Sequence, residues 1–503
     1  MTGRTRLIDP CLLSTAVFCG LVTVLGAPLS ADTLIIQEDD GNKVTVEARI
    51  IASEQGLTIL ERRDGRWEVI PSERMLDRKP TPGPDPMTPE EMRDLFAERF
   101  GADTFRSQIE GPYVVGLVLA APLEAGQETR AASLLKKATE FCRSVEGVFE
   151  GYLKAVKISP RDLQYPLAML IFETDEAFAA YAEQETGGRG LSAGNIAGFY
   201  SGLTNHLVIR MSECHTFETP LHEAIHQQVH NRGILQRLSS APAWFNEGIA
   251  TGFEGNGKRI NGNPLKLNPR YARMTLQAQT VDWPEVVRDD RAFRGDVLAG
   301  EAYAHAWSLH WFLVTKYPQQ YSRYLEMLGG KQPLQTDSAT QRDQDFAEAF
   351  GKPIAELQQE FPQWLKAATK RQKVSLEEKQ AVGYTHAIAN LGELELTAVQ
   401  RGDLGGQLVV QGRLRNISPL RPMSFHVTVE TDGGTYADWL VPNLATSKIV
   451  PLPQQVVRKQ MQNGPGIAAN RFSVRIQAVV PTSETGEAWQ RGELPVPVYS
   501  RPR

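Results

Sequence analysis

The chain has 503 residues, 41% hydrophobic and 22% charged, with a formal net charge of −5. At ~150 residues per domain this length predicts about three domains. The mild acidity, with no cluster of Lys and Arg, excludes the basic face that nucleic acid binding requires.

Residues 1–31 read as an export signal. Arg4 and Arg6 form a positive start, Cys11 to Gly26 form an apolar core, and Ala31 offers a small residue before a cut at Asp32. The core is bracketed by Pro10 and Pro28 and falls short of the ~20 residues that a membrane span needs. The expectation is therefore a cleaved leader and an exported (periplasmic, envelope or secreted) chain with no stable membrane span. An uncleaved anchor is the alternative. A lipid anchor on Cys19 is opposed by Phe18, which stands where a small residue belongs. Cys11 and Cys19 leave with the leader, so Cys142 and Cys214 remain. Export permits a bridge between them, but Cys142 sits on the apolar face of a predicted helix, which favours a buried thiol.

Residues 32–79 predict a small β module. TLIIQ, KVTVEARIIA, LTILERR and WEVI are β-rich runs separated by turns at Asp40-Gly41, Gln55-Gly56 and Asp64-Gly65. So short a segment has little core of its own and is expected to lean on a neighbour. A linker and helix follow over 80–99. The Pro-rich KPTPGPDPMTPEE is stiff, and Thr88, Pro89 and Glu91 form a capping-box start.

Over 100–367 strands and helices mix. YVVGLVLA (113–120) and PLAMLIFET (166–174) predict buried strands. Residues 128–155 predict a long helix with Leu134, Leu135, Ala138, Phe141, Cys142, Val145, Phe149 and Tyr152 on one face, and a shorter helix starts near Asp175. GFYSGLTNHLVIRM (198–211) reads as a hairpin turning at Gly202 to Asn205, and from 215 to about 367 the pattern is helical. A charged connection over 368–384 leads to a β-rich region, 385–503, predicted as a β-sandwich. The fold class is thus multidomain α+β. In the last region Asn416-Ile417-Ser418 matches a glycosylation acceptor, and His386 and His426 stand alone as structural histidines.

The chemistry concentrates in LHEAIHQQVHNRGILQRLSSAPAWFNEGIA, residues 221–250. On a helix His222 and His226, at i and i+4, aim their rings at one cation, while Leu221, Ile225 and Val229 form an adjacent buried stripe. Glu223 is turned about 100° from His222, beside such an ion rather than on it, where a carboxylate can take a proton from an activated water. Catalytic zinc usually has three protein ligands and one open position. Glu247 supplies the third, on a second helix opened by Pro242, where Trp244, Glu247 and Thr251 share a face and Gly248 permits close packing. His230 lies too far along the axis to join and reads as surface or supporting. Gln228 and Arg232 stand where a metzincin would have its glycine and third histidine, which excludes that class.

HEAIH followed by AWFNEGIA resembles the gluzincin metallopeptidases, whose second motif reads W-x-x-E-G-[LIF]-A, and is close to a bacterial exported family of unassigned function. The resemblance covers about residues 100–367. It implies a zincin-like α+β metallopeptidase domain in which His222, His226 and Glu247 bind Zn2+ and Glu223 is the general base and acid. It also implies an oxyanion donor from a later helix, for which Tyr303 in GEAYAHAWSLHWFL is similarly placed and His305 is the alternative; Tyr303, Trp307 and Trp311 also share a helical face and fit a core. Peptidases of this kind hold substrate as an added strand, and NHLVIR (205–210) is a candidate edge or else an internal strand. One departure stands out: thermolysin-like members have an aspartate four residues after the glutamate ligand to orient a zinc histidine, and Thr251 occupies that place. The expected function is peptide-bond hydrolysis on a peptide or protein substrate. The rival is a cell-envelope binding or scaffold protein with β modules at both ends and a structural or vestigial zinc. On either reading a cell-envelope ligand is a candidate partner of the C-terminal domain.

Overall fold

The structure is a computed structural model that describes residues 30–478 apart from 39, 83–84, 187–195, 216, 255–262, 278–281, 294–298, 377–383, 402–406, 432–434 and 460–471. The signal reading falls almost wholly on residues 1–29, outside the described residues. It is a mixed α+β chain with four separate sheets and eleven α-helices among those residues. No helix among them is long and apolar enough to cross a membrane.

The first sheet runs β4-β3-β2-β1-β5, built from β1 (Ser30–Gln37), β2 (Lys43–Glu54), β3 (Leu57–Glu61), β4 (Trp67–Pro71) and β5 (Met75–Pro82). The fifth strand corrects the expected linker start at residue 80. Its Pro80 and Pro82 cannot donate to a ladder, but β5 pairs only with β1 and forms an edge, where proline is tolerated. The core of this sheet is small: Leu34, Ile36, Ala48, Leu60 and Ile70. The capping box opens α1 (Pro89–Phe100) as predicted.

The second sheet has the order β6-β7-β8-β10-β9: β6 (Phe105–Glu110), β7 (Tyr113–Val118), β8 (Leu167–Phe172), β9 (Gly198–Tyr200) and β10 (His206–Arg210). β7, β8 and β10 are mutually parallel, and β6 and β9 are antiparallel edges. Successive side chains point to opposite faces. Val115, Leu117, Met169, Ile171, Leu207 and Ile209 therefore join a core with α2 (Ala125–Ala155) and α4 (Glu218–Asn231). Val114, Val118, Leu170, Phe172 and Val208 join α1 and α3 (Asp175–Thr186) on the other face. Covering on both faces is why these strands read as unbroken apolar runs. Of the two readings of 205–210, substrate edge or internal strand, the structure has the internal strand. β10 lies between β8 and β9, so Gly198–Tyr200 forms the edge. Cys142 and Cys214 are free, buried thiols.

The helical body continues through α5 (Ala243–Phe253), α6 (Pro269–Gln277), α7 (Trp283–Arg288), α8 (Ala299–Lys316), α9 (Pro318–Gly329), α10 (Ala339–Phe350) and α11 (Ile354–Gln372). The C-terminal region has one sheet of β11 (Tyr384–Ala389), β12 (Gly392–Arg401), β13 (Gln407–Asn416) and β16 (Ile449–Val456). The other is made of β14 (Met423–Thr431), β15 (Thr435–Leu444), β17 (Arg458–Lys459) and β18 (Phe472–Ala478). Both contribute to one apolar core that includes Leu394, Leu414, Phe425, Trp439 and Ile476. The sequon reading does not survive: Asn416 is buried and donates its amide to the carbonyls of Arg421 and Leu444. His386 and His426 make cross-strand contacts to Glu393 and Asp438, as structural histidines do.

Candidate metal centre

α4 forms where the sequence spacing placed a helix, and Leu221, Ile225 and Val229 are buried along it. His222 and His226 project from the neighbouring stripe into the angle between α4 and α5. α5 begins after Pro242, and the Ala243 N–H is taken by Asp290 at 2.9 Å. Gly248 does allow a close approach, and the partner is α8. A Cβ at 248 would lie 2.6 Å from the Ala306 carbonyl oxygen and 2.8 Å from His310 Cβ. With α5 so placed, Glu247 faces both histidines.

The ligand atoms of His222, His226 and Glu247 lie within 4.8 Å of one another. The two Nε2 atoms are 3.1 Å apart, and Glu247 Oε2 is 3.0 Å from His222 Nε2 and 3.5 Å from His226 Nε2. Each Nδ1 has its own partner. His222 Nδ1 meets Glu254 Oε1 at 2.8 Å, and His226 Nδ1 meets Asn246 Oδ1 at 3.1 Å. A carboxylate or amide oxygen only accepts, so each Nδ1 carries the hydrogen and each neutral ring turns an Nε2 lone pair inward. Two lone pairs and a carboxylate in contact repel unless a proton or cation sits among them. The donor set thus fits a metal ion. Without one, burial opposes charge on His222, but hydrogen bonds to Glu247 and Glu254 prevail and hold its pKa well above the usual imidazole value. Glu247 is half-buried, and although desolvation opposes its charge, the two imidazoles keep its pKa well below the usual carboxylate range.

Glu223 stands beside this set and is not part of it. Its Oε2 accepts the Tyr200 backbone N–H at 2.9 Å. Burial raises its pKa, and the neighbouring His222 and His226 work in the opposite direction. Tyr303 on α8 is half-buried, with its ring 6.0 Å from that of His222. The negative charge of Glu247 is the first cause of its raised hydroxyl pKa, followed by burial and the charge of Glu223. The other two aromatic residues of that face, Trp307 and Trp311, are fully buried and stacked 5.6 Å apart. His305 is buried on the same helix and outside the convergent set. His230 is not a surface residue: it stacks on Tyr200 at 5.5 Å, and burial lowers its pKa to about 3.

Glu254, Asn246 and Tyr271 were not anticipated. Thr251 spends its hydroxyl on the carbonyls of Glu247 and Gly248, so it does not orient a histidine. That task falls to Glu254, seven residues after Glu247 and two turns along the same face. Its second oxygen accepts the Tyr271 hydroxyl at 2.5 Å. A carboxylate on the remote nitrogen of a ligating histidine fixes the ring and its tautomer. The i+7 spacing was a usable signal. Asn246, directly before Glu247, offered none.

A family described as a protein of unknown function (DUF1570) matches residues 217–335. The span contains the three convergent residues, Glu223, Glu254 and Tyr303. The match accords with the expected closeness to a family of unassigned function and carries no peptidase assignment. No curated protein matches the chain.

Proposed function

We propose that the chain is an exported zinc-dependent peptidase of gluzincin type. The observation that carries this reading is the set of three ligand atoms within 4.8 Å of one another, beside a half-buried carboxylate, Glu223, that does not belong to the set. A bound zinc ion would supply a Lewis acid for the scissile carbonyl and make a water nucleophilic near neutral pH. Glu223 would accept the proton of the attacking water and return it to the leaving amine. The Tyr303 hydroxyl would donate to the oxyanion that develops on the carbonyl. Substrate would lie along β9. The Ser201 N–H bonds to the His206 carbonyl and Ala197 accepts from the Arg210 N–H, so the backbone groups of Gly198 point away from β10 and are free to pair with an added strand.

The rival, an envelope scaffold with a structural or vestigial zinc, calls for a site closed by protein. Among the described residues the convergent set numbers three, which leaves a position for solvent or substrate. On the peptidase reading the C-terminal sheet pair is a β-sandwich that binds an envelope ligand, and residues 1–31 are removed on export. The test is metal analysis together with a peptide-library digest. The purified chain should hold one zinc and cleave peptides, and Glu223→Gln should keep the zinc and lose cleavage by at least a hundredfold. Equal cleavage by both proteins would overturn the reading.

A further inference from the structure

We propose that the N-terminal sheet is a working part of the site and that Arg237 is a positioning residue for Glu223, acting through the turn at 201–205. The kinetic half of this proposal rests on the peptidase reading, and the structural half does not.

Glu223 is held by the backbone N–H of Tyr200, on the edge strand, so the carboxylate is only as well placed as that strand. The strand is three residues long and is followed at once by the turn Ser201–Asn205. On one side the turn is tied to α4. The Tyr200 hydroxyl donates to Asn205 Oδ1 at 2.8 Å, and Asn231 Nδ2 donates to the same oxygen at 2.7 Å. Gln227 Nε2 donates to the Asn205 carbonyl at 3.1 Å, and the Tyr200 ring stacks on His230. Asn205 itself is left-handed, φ +65, a conformation that asparagine adopts more readily than most residues and that suits the tight turn.

On the other side the turn is tied to the N-terminal sheet. The Trp67 N–H donates to the Leu203 carbonyl at 2.6 Å. Arg237, in the loop after α4, joins the two parts. Its Nη1 donates to the Gly65 carbonyl at 2.9 Å and to the Gly202 carbonyl at 3.4 Å. Its Nη2 meets Glu61 Oε1 at 3.3 Å, and its guanidinium lies 4.0 Å from the centre of the Trp67 ring. Arg237 is 8% exposed and both Glu61 and Trp67 are 6% exposed, so the cluster is sealed. Arg49 adds a bond to the Tyr165 hydroxyl at 2.8 Å, and Gly65 packs so tightly on Tyr165 that a Cβ would come within 2.9 Å of its ring. The Arg237–Glu61 ion pair has one member from each part, and removing Arg237 would leave Glu61 as an uncompensated charge in the sealed cluster. These contacts brace the turn from behind.

The test is amide hydrogen exchange on the full chain, with and without zinc, in wild type, Arg237→Ala, Arg237→Lys and Trp67→Phe. Peptides covering 198–205 should exchange at least tenfold faster in Arg237→Ala. Arg237→Lys should be intermediate, because an ammonium cannot reach three acceptors in one plane. Peptides over 409–416 in the C-terminal sheet should stay at the wild-type rate. If Arg237→Ala opens the whole molecule, that control accelerates as well, and Trp67→Phe carries the comparison. Zinc content should be unchanged in each variant, while kcat falls at constant KM. Wild-type exchange over 198–205 in both Arg237→Ala and Trp67→Phe overturns the proposal. Exchange needs no substrate, so failure of the peptidase reading would be seen separately, as absence of cleavage in the wild type.

Discussion

Glu254 Oε1 lies 2.8 Å from Nδ1 of His222, and its other oxygen is held by the Tyr271 hydroxyl. This contact fixes which nitrogen of His222 faces Glu247. Glu254→Gln keeps the shape but can present an amide N–H to Nδ1, which would favour the wrong tautomer. Loss of such a supporting partner typically costs 10–100-fold in metal affinity. The expected result is zinc affinity lower by that factor, measured by competition with a chelator. Tyr271→Phe, one bond further away, should show a smaller loss.

The charges of Glu247 and Glu223, together with burial, raise the Tyr303 hydroxyl pKa and keep the phenol protonated, which a hydrogen-bond donor to an oxyanion requires. Tyr303→Phe removes only the hydroxyl. A single donor of this kind is worth about 3 kcal/mol in the transition state and little in the ground state. Steady-state kinetics should show kcat lower by about a hundredfold with KM and zinc content near wild type. A change confined to KM would assign Tyr303 to substrate binding.

Three histidines away from the convergent set, His206, His230 and His310, are kept neutral by burial, each with its pKa lowered to about 3. In the unfolded chain they titrate near 6.5. Between those values the unfolded state binds more protons, so stability is lost as pH falls from about 6.5 towards 3. Each group contributes a slope of up to about 1.4 kcal/mol per pH unit. Urea midpoints measured across that range should decline with falling pH. His310→Gln should flatten the decline by one proton, since among the described residues the His310 ring bonds the Tyr321 and Tyr152 hydroxyls inside the core.

The sequence made the convergent residues legible because their geometry is mostly local. His222 and His226 need only one helix, and Glu247 follows a proline that starts another. The i+7 spacing places Glu254 on the face of Glu247, but its pairing with His222 depends on how α5 crosses α4 and is not legible from spacing alone. Strands at sheet edges were the other loss. Met75–Pro82 contains Pro80 and Pro82, and Ile449–Val456 contains Pro451 and Pro453, so both argue against strands until their neighbours are known. Each lies at the margin of its sheet, where a missing N–H costs no ladder bond. NHLVIR showed the reverse: its apolar run was compatible with an edge or an interior strand, and only the order β8-β10-β9 decides that it is interior.

The most direct measurement on the central relation is X-ray absorption at the zinc edge of the loaded chain, in wild type and in His226→Ala. The expected spectrum has two imidazole neighbours and oxygen neighbours on one zinc per chain, falling to one imidazole in the variant. A wild-type chain that retains no zinc, or a spectrum unchanged by His226→Ala, would contradict the assignment of His222, His226 and Glu247 as a metal site.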